Sequence, residues 1–425
     1  MGIVEAIQWF LNLGATVVIP IILFFVALAF KVPKGRAFRA ALTIACGFVG
    51  INLVIGLLWG TMTDVAQAMV KRTGIELTVI DVGWPSAAAI AFGTIVGGLT
   101  IPVCFIVNII MLALKLTKTL DIDFWNYWHF AFTGSLVTMA TGSVPLGVIA
   151  AIINSIIVFK LGDWTAKGVQ EMLNIPGISL PHGFSAAYVP IGIPIKKVID
   201  AIPALRDLKA DPEAIREKFG VLGEPMVLGL IIGLALAIAA GSDLAGILKT
   251  GVTLAAVMYL MPKVVAILME GLVPISEAGK KILEERYGGR EMYIGLDSAI
   301  AIGHPTAIAA ALLLVPVTLL WAFILPGNRF LPLADLAVLP FMVCMLVPIV
   351  RGNVVHAFII GAIVLIPAMY IGGFLAPYFT DAAVAAGFTI PEAAKGATYI
   401  SSICDGTNPL TFVLFLPFYY LFGKK

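Results

Sequence analysis

Apolar runs of about 20 residues recur along most of this chain, and that pattern leaves few folds open, because a helix of that length crosses roughly 30 Å of hydrocarbon. Residues are 60% hydrophobic and only 12% charged over a length of 425. That is too little polar surface to cover a water-soluble globule of this size. The apolar-out, polar-in alternation of a membrane β-barrel is absent, so the backbone polar groups have to be satisfied inside helices. The expected class is an all-α polytopic membrane protein that meets the lipid bilayer over much of its surface.

Charge and cysteines narrow the function classes. Net charge is +2 with no large basic block, which argues against a nucleic-acid partner. Cys46, Cys104, Cys344 and Cys404 lie in apolar or membrane-near sequence without CxxC spacing and read as buried free thiols. No P-loop or dinucleotide fingerprint occurs, and the 4 histidines lack metal-site spacing, so neither a cofactor nor a metal is expected. The N-terminus carries no basic region or small-residue cleavage site ahead of its apolar run, and Val17 to Phe30 reads as a retained first helix.

The spacing predicts a first span over 13–30, stopped by Lys31, Lys34, Arg36 and Arg39, and a second over 40–60. The basic loop between them marks a cytoplasmic side, so the N-terminus is expected outside and the Lys424-Lys425 end inside, with an odd number of crossings. The mixed segment 61–80 is expected to lie at an interface. Glycines and prolines interrupt 82–114 and, at Gly142-Ser143-Val144-Pro145, 130–159, which predicts broken helices; 174–194 reads as re-entrant. The polar stretch 196–220 is expected to be a cytoplasmic linker between halves 1–195 and 221–425, with a short helix started by Asp211-Pro212-Glu213. Second-half spans are predicted at 224–241, 245–273, 295–325, 333–350, 354–377 and 398–422.

The chain also matches itself. Gly83-Trp84-Pro85-Ser86-Ala87 aligns with Gly295-Leu296-Asp297-Ser298-Ala299, continuing through Thr94/Thr306. Asn126-x-x-His129 aligns with Asn353-x-x-His356, continuing through Gly134/Gly361 and Val137/Val364. Duplication with an odd number of spans gives two inverted repeats, whose broken helices place a polar solute near the midplane. That architecture suits alternating access.

Ionisable residues inside spans are costly and so are candidates for function. Asn126 and His129 share a helix face and could offer donors and acceptors to a polyhydroxylated solute, or else bond across helices for packing. His356, near Arg351, reads as structural. Asp297 could accept substrate hydroxyls or act as a base, the alternative being a helix cap with Ser298 following. His304 and His182 are flanked by Pro and Gly, which open the backbone around them. Asp405, in Cys404-Asp405-Gly406-Thr407-Asn408-Pro409, either caps the last helix or binds substrate; this loop is a candidate counterpart of Pro181-His182-Gly183.

Three stretches, Gly-Leu-Asp-Ser-Ala-Ile-Ala-Ile-Gly-His-Pro (295–305), Leu-Pro-His-Gly-Phe-Ser (180–185) and Asp-Gly-Thr-Asn-Pro-Leu (405–410), resemble the galactitol-specific enzyme IIC of the bacterial phosphotransferase system. The related ascorbate subunit shares that architecture. The resemblance covers essentially the whole chain. It implies a homodimer with core and V-shaped dimerisation domains interleaved across both halves, and about eleven crossings, in keeping with the odd count from charge bias. It implies residence in the inner membrane and a polyol substrate phosphorylated by a soluble IIB subunit, itself served by IIA; the donor is a phosphocysteine on IIB. On this resemblance the chain is the membrane subunit of a phosphotransferase complex, with site positions at Ser86, His129, His182 and Asp297. The competing expectation is a proton- or ion-coupled transporter of a polyol, sugar or ascorbate, without phosphorylation.

Overall fold

The computed structural model describes residues 9–10, 13, 15–73, 78–208, 210, 224–286, 291–332, 334–388 and 397–424. Four helices form a scaffold layer: α1 (Ala15–Ala29), α2 (Lys34–Thr73) and, later in the chain, α8 (Pro225–Ala240) and α9 (Leu244–Arg286). Helices α2 and α9 run antiparallel: Gly47 lies against Leu268, Gly50 against Val264, and Gly271 against Ile44. Small residues let two apolar backbones approach where lipid supplies no hydrophobic drive to associate. At 40 residues α2 is about 60 Å long by helical rise, and at 43 residues α9 is longer still. Residues 61–73 of the segment expected to lie at an interface continue α2 as helix. No proline interrupts the helix between Gly60 and Thr73, and Arg72 donates to the Ala239 carbonyl at 3.1 Å near the end of α8.

The rest of the chain is built from paired half-helices. Helix α3 (Trp84–Gly93) breaks at Thr94, whose hydroxyl accepts from Gly97 N–H and so caps α4 (Ile95–Ala113). Helix α5 (Trp128–Thr141) ends at Gly142 in the left-handed region (φ 72°), and α6 (Val144–Leu173) starts behind it. Helix α7 covers Val189–Ala201. In the second half, α10 (Ala299–Ile302) breaks before α11 (Pro305–Ile324), with His304 Nδ1 accepting from Thr306 N–H in the capping position that Thr94 takes earlier. Helix α12 (Leu339–Cys344) and a further turn, Val347–Val350, end at Arg351 in the left-handed region (φ 51°) ahead of α13 (Val354–Ala385); α14 is Pro409–Phe422. The predicted spans 295–325, 333–350 and 398–422 are thus not single helices. The helices long and apolar enough to cross a membrane, among the described residues, are α4, α6, α11 and α13.

The chain is mostly helical, but an all-α assignment is corrected by six short strands: β1 (Val79–Asp81), β2 (Thr119–Asp121), β3 (Ile178–Ser179), β4 (Tyr293–Gly295), β5 (Phe330–Leu331) and β6 (Tyr399–Ser401). They form two parallel three-stranded sheets, ordered β5-β1-β6 and β2-β4-β3. Each sheet has a central strand from one half of the chain flanked by two strands from the other. Strands of two or three residues are too short to show a period of 2, which is why the sequence hides them. Their backbone pairing satisfies the polar groups of extended chain that is buried in protein.

The matching letters at 126–137 and 353–364 occupy different local structures. Asn126 belongs to a 3-10 turn (Phe124–Tyr127) before α5, whereas Asn353 caps α13, the helix after the break, by accepting from His356 N–H. His356 Nε2 meets the Leu205 carbonyl at 2.9 Å and Asn353 Nδ2 the Leu208 carbonyl. Both hold the chain that follows α7. The cap expected at Asp211-Pro212-Glu213 lies outside the described residues.

Candidate functional site

Two loops after third strands approach each other at the start of α5. One is Leu180–Ser185, leaving β3; the other is Ile403–Asn408, leaving β6. Gly183 permits the first to cross directly over His129: a Cβ at 183 would stand 2.5 Å from the His129 Cβ. The imidazoles of His129 and His182 consequently meet with ring centroids 4.5 Å apart and Nε2 atoms 3.4 Å apart. Both are buried, at 1% and 4% exposure.

The surrounding donors set the tautomers. Asp405 Oδ2 accepts from His129 Nδ1–H at 2.6 Å, which leaves His129 Nε2 as the lone-pair nitrogen. Ser185 N–H donates to His182 Nδ1 at 3.2 Å, so His182 carries its proton on Nε2 and directs it toward His129 Nε2. Asp297 Oδ1 lies 3.8 Å from the same His182 Nε2. The result is a run of four groups, Asp405–His129–His182–Asp297, assembled from four different segments. The second Asp405 oxygen accepts from Asn408 Nδ2 at 2.8 Å, and Asn408 also bonds the Gly183 carbonyl, tying the two loops together. The last helix is capped by Asn408, through Leu410 N–H, and not by Asp405.

Asp297 does act as a cap, accepting from Ala299 N–H at 2.9 Å. It also lines a narrow crevice with Asp123, closed by Leu23 of α1, Phe48 of α2 and Leu268 and Leu272 of α9. Asn126 donates to Asp123 Oδ2 at 2.6 Å. Ser298 is buried and shares a 2.8 Å hydrogen bond with Ser185. Of the candidates from sequence, then, Asn126, His129, His182, Asp297, Ser298 and Asp405 gather in one region. Ser86 lies in the first turn of α3, after β1, and His304 caps α11.

Sequence reasoning missed four buried acids, Asp81, Asp121, Asp123 and Asp335. The signal was present, since each is an ionisable residue in apolar surroundings. Asp81 and Asp335 bridge the β1 sheet: Asp81 Oδ2 accepts from Asp335 N–H at 2.7 Å, and Asp335 Oδ1 from Trp84 N–H at 2.6 Å. Cys104, Cys344 and Cys404 are buried, but Cys46, expected to be buried, is exposed. One donor atom each from His129, Cys404 and Asp405 falls within 4.8 Å of the others. Two of these atoms are already engaged with each other in the His129–Asp405 hydrogen bond.

Residues 9–393 match the family of phosphotransferase-system sugar-specific permease components. The chain is 41% identical over 382 residues to a putative permease IIC component of Escherichia coli K12, covering 90% of this chain and 87% of that one. It is 37% identical over 410 residues to the galactitol-specific EIIC component of the same strain, covering 96% and 90%. The chain belongs to this permease family and, with its apolar spans, is an inner-membrane protein.

Proposed function

We propose that this permease component binds an acyclic polyol, galactitol, at the Asp297–His182–His129 group and delivers it inward for phosphorylation by a soluble IIB partner that is itself recharged by IIA. The carrying observation is the buried run of acid and imidazole groups ending at Asp297, in a crevice where core and scaffold meet. A polyol presents hydroxyls that both donate and accept, which suits a carboxylate beside an imidazole N–H. The likeness over 96% of the chain to a galactitol-specific relative supports the choice of solute.

The recurring order of strand, broken helix, strand, broken helix, strand supports an inverted duplication, and the interleaved sheets support a rigid core. In this reading the core moves against a scaffold of α1, α2, α8 and α9 that pairs with a second copy. The N-terminus lies outside and the C-terminus in the cytoplasm. Inward, the polyol hydroxyl attacks phosphorus on the IIB cysteine: the O–P bond forms, the S–P bond breaks, and the hydroxyl proton passes to Asp297. The phosphorylated product is then trapped by its charge.

Uptake of labelled galactitol into vesicles, with and without phosphorylated IIB inside, tests this. Accumulation of galactitol phosphate that requires IIB is the expected result. Accumulation of unmodified polyol driven by a proton or sodium gradient alone would replace the reading with coupled secondary transport.

A further inference from the structure

Asp123 is 4% exposed, and its Oδ1 has no hydrogen-bond partner among the described residues. A buried carboxylate oxygen without a donor is costly, and such an atom in a folded protein calls for a missing partner. The other sheet shows what that partner replaces. Asp335 stands where Asp123 stands, immediately before the 3-10 turn that follows the second strand of its half. Asp335 is saturated: Oδ1 takes Trp84 N–H, and Oδ2 takes the Ser402 hydroxyl and Cys404 N–H. Ser402 directly follows β6; the residue directly following β3 is Leu180, which has no hydroxyl to give. The β4 sheet thus lacks the side-chain donor its counterpart has, and the carboxylate left open lines the same crevice as Asp297.

We propose that Asp123 is a second substrate-binding carboxylate, its Oδ1 accepting one hydroxyl of a polyol whose neighbouring hydroxyl is held by Asp297. The pair selects solutes carrying hydroxyls on adjacent carbons. Asn126, bonded to Asp123 Oδ2, fixes the carboxylate plane so that Oδ1 faces the crevice. Leu23, Phe48, Leu268 and Leu272 cover both acids from the scaffold side, so the solute enters only when core and scaffold separate. This inference rests on the polyol-binding reading above and adds a residue to it.

The test is equilibrium binding of labelled galactitol to the full-length protein in detergent, for wild type, Asp123→Asn and Asp297→Asn, with thermal melting of each. The expected result is at least tenfold weaker binding for Asp123→Asn at an unchanged melting temperature. Its deficit should vanish for the deoxy analogue lacking the contacted hydroxyl. If Asp123→Asn does not fold, Asp123→Glu, which moves the acceptor by one methylene, is expected to reorder affinities among epimeric polyols. Wild-type affinity in Asp123→Asn beside lost binding in Asp297→Asn would overturn this inference and leave the functional reading standing. No polyol binding by the wild type would overturn both, and a deficit equal for every deoxy analogue would overturn the direct contact.

Discussion

His129 and His182, 53 residues apart in the chain, face each other through their Nε2 atoms at 3.4 Å, one ring fixed by a carboxylate and the other by a backbone N–H. Because each Nδ1 is committed, each Nε2 has an assigned role: His182 donates and His129 accepts. A solute hydroxyl entering between His182 and Asp297 would compete for the His182 proton, so binding is coupled to the histidine pair.

His182→Gln keeps a donor but on a flexible amide, and loses the imidazole plane stacked on Phe341. Losing one buried polar contact to substrate costs about 1–3 kcal/mol, or roughly tenfold or more in Kd. Equilibrium dialysis with galactitol is expected to show that loss while assembly in detergent is unchanged. Wild-type affinity would remove His182 from the site.

Asp405→Asn removes a charge-assisted hydrogen bond to His129 and releases its tautomer. The expected destabilisation is about 1.5–3 kcal/mol, read as a lower melting temperature. Uptake should fall too, although Asp405 need not touch the solute. An NMR probe of labelled histidine should report the tautomer change at His129, which loss of packing alone would not produce.

Gly183→Ala places a methyl group against His129, 2.5 Å from its Cβ. Either the 180–185 loop or the start of α5 must shift, at a cost of about 1–3 kcal/mol, and the His129–His182 geometry goes with it. Gly56→Ala is the control: nothing lies within 4 Å of its Cβ position in α2. That change is expected to leave binding intact and to stabilise the helix by about 0.5–1 kcal/mol.

Lys118 and Glu291 pair at 2.5 Å on the exposed edge where β2 meets β4. The Lys118 ammonium holds the Glu291 carboxyl below its usual range. A carboxyl depressed in the folded state contributes stability that is complete above its unfolded value, about 4.3, and is lost as pH falls through the folded value. Lys118→Met is therefore expected to lower the melting temperature slightly at pH 6 and to lose that difference below about pH 4. Melting curves across pH 3–7 check the sign. Solvent screens the pair, so the effect is small.

The sequence by itself determined that this is a membrane protein of helices broken by Gly and Pro. Hydrophobic run length and breaker position are local properties, and they also located His182 beside a glycine and Asp297 at a helix start. The letter match of Gly83–Thr94 with Gly295–Thr306 falls at the central strands: Gly83 lies two residues past β1, and Gly295 ends β4. The match of Asn126 and His129 with Asn353 and His356 joins letters on opposite sides of a helix break, and His356, read from the sequence as structural, holds the chain after α7. Only the tertiary structure decided which acids share a space. Asp405 reaches His129 across 276 positions, and Asp123 reaches Asp297 because β2 and β4 pair in parallel. Strands of two or three residues write no periodicity into the sequence, yet their backbone hydrogen bonds bring the polar residues together. Whether a buried carboxylate is satisfied depends on a neighbour such as Ser402 or Leu180, and which residue is the neighbour is fixed by the fold.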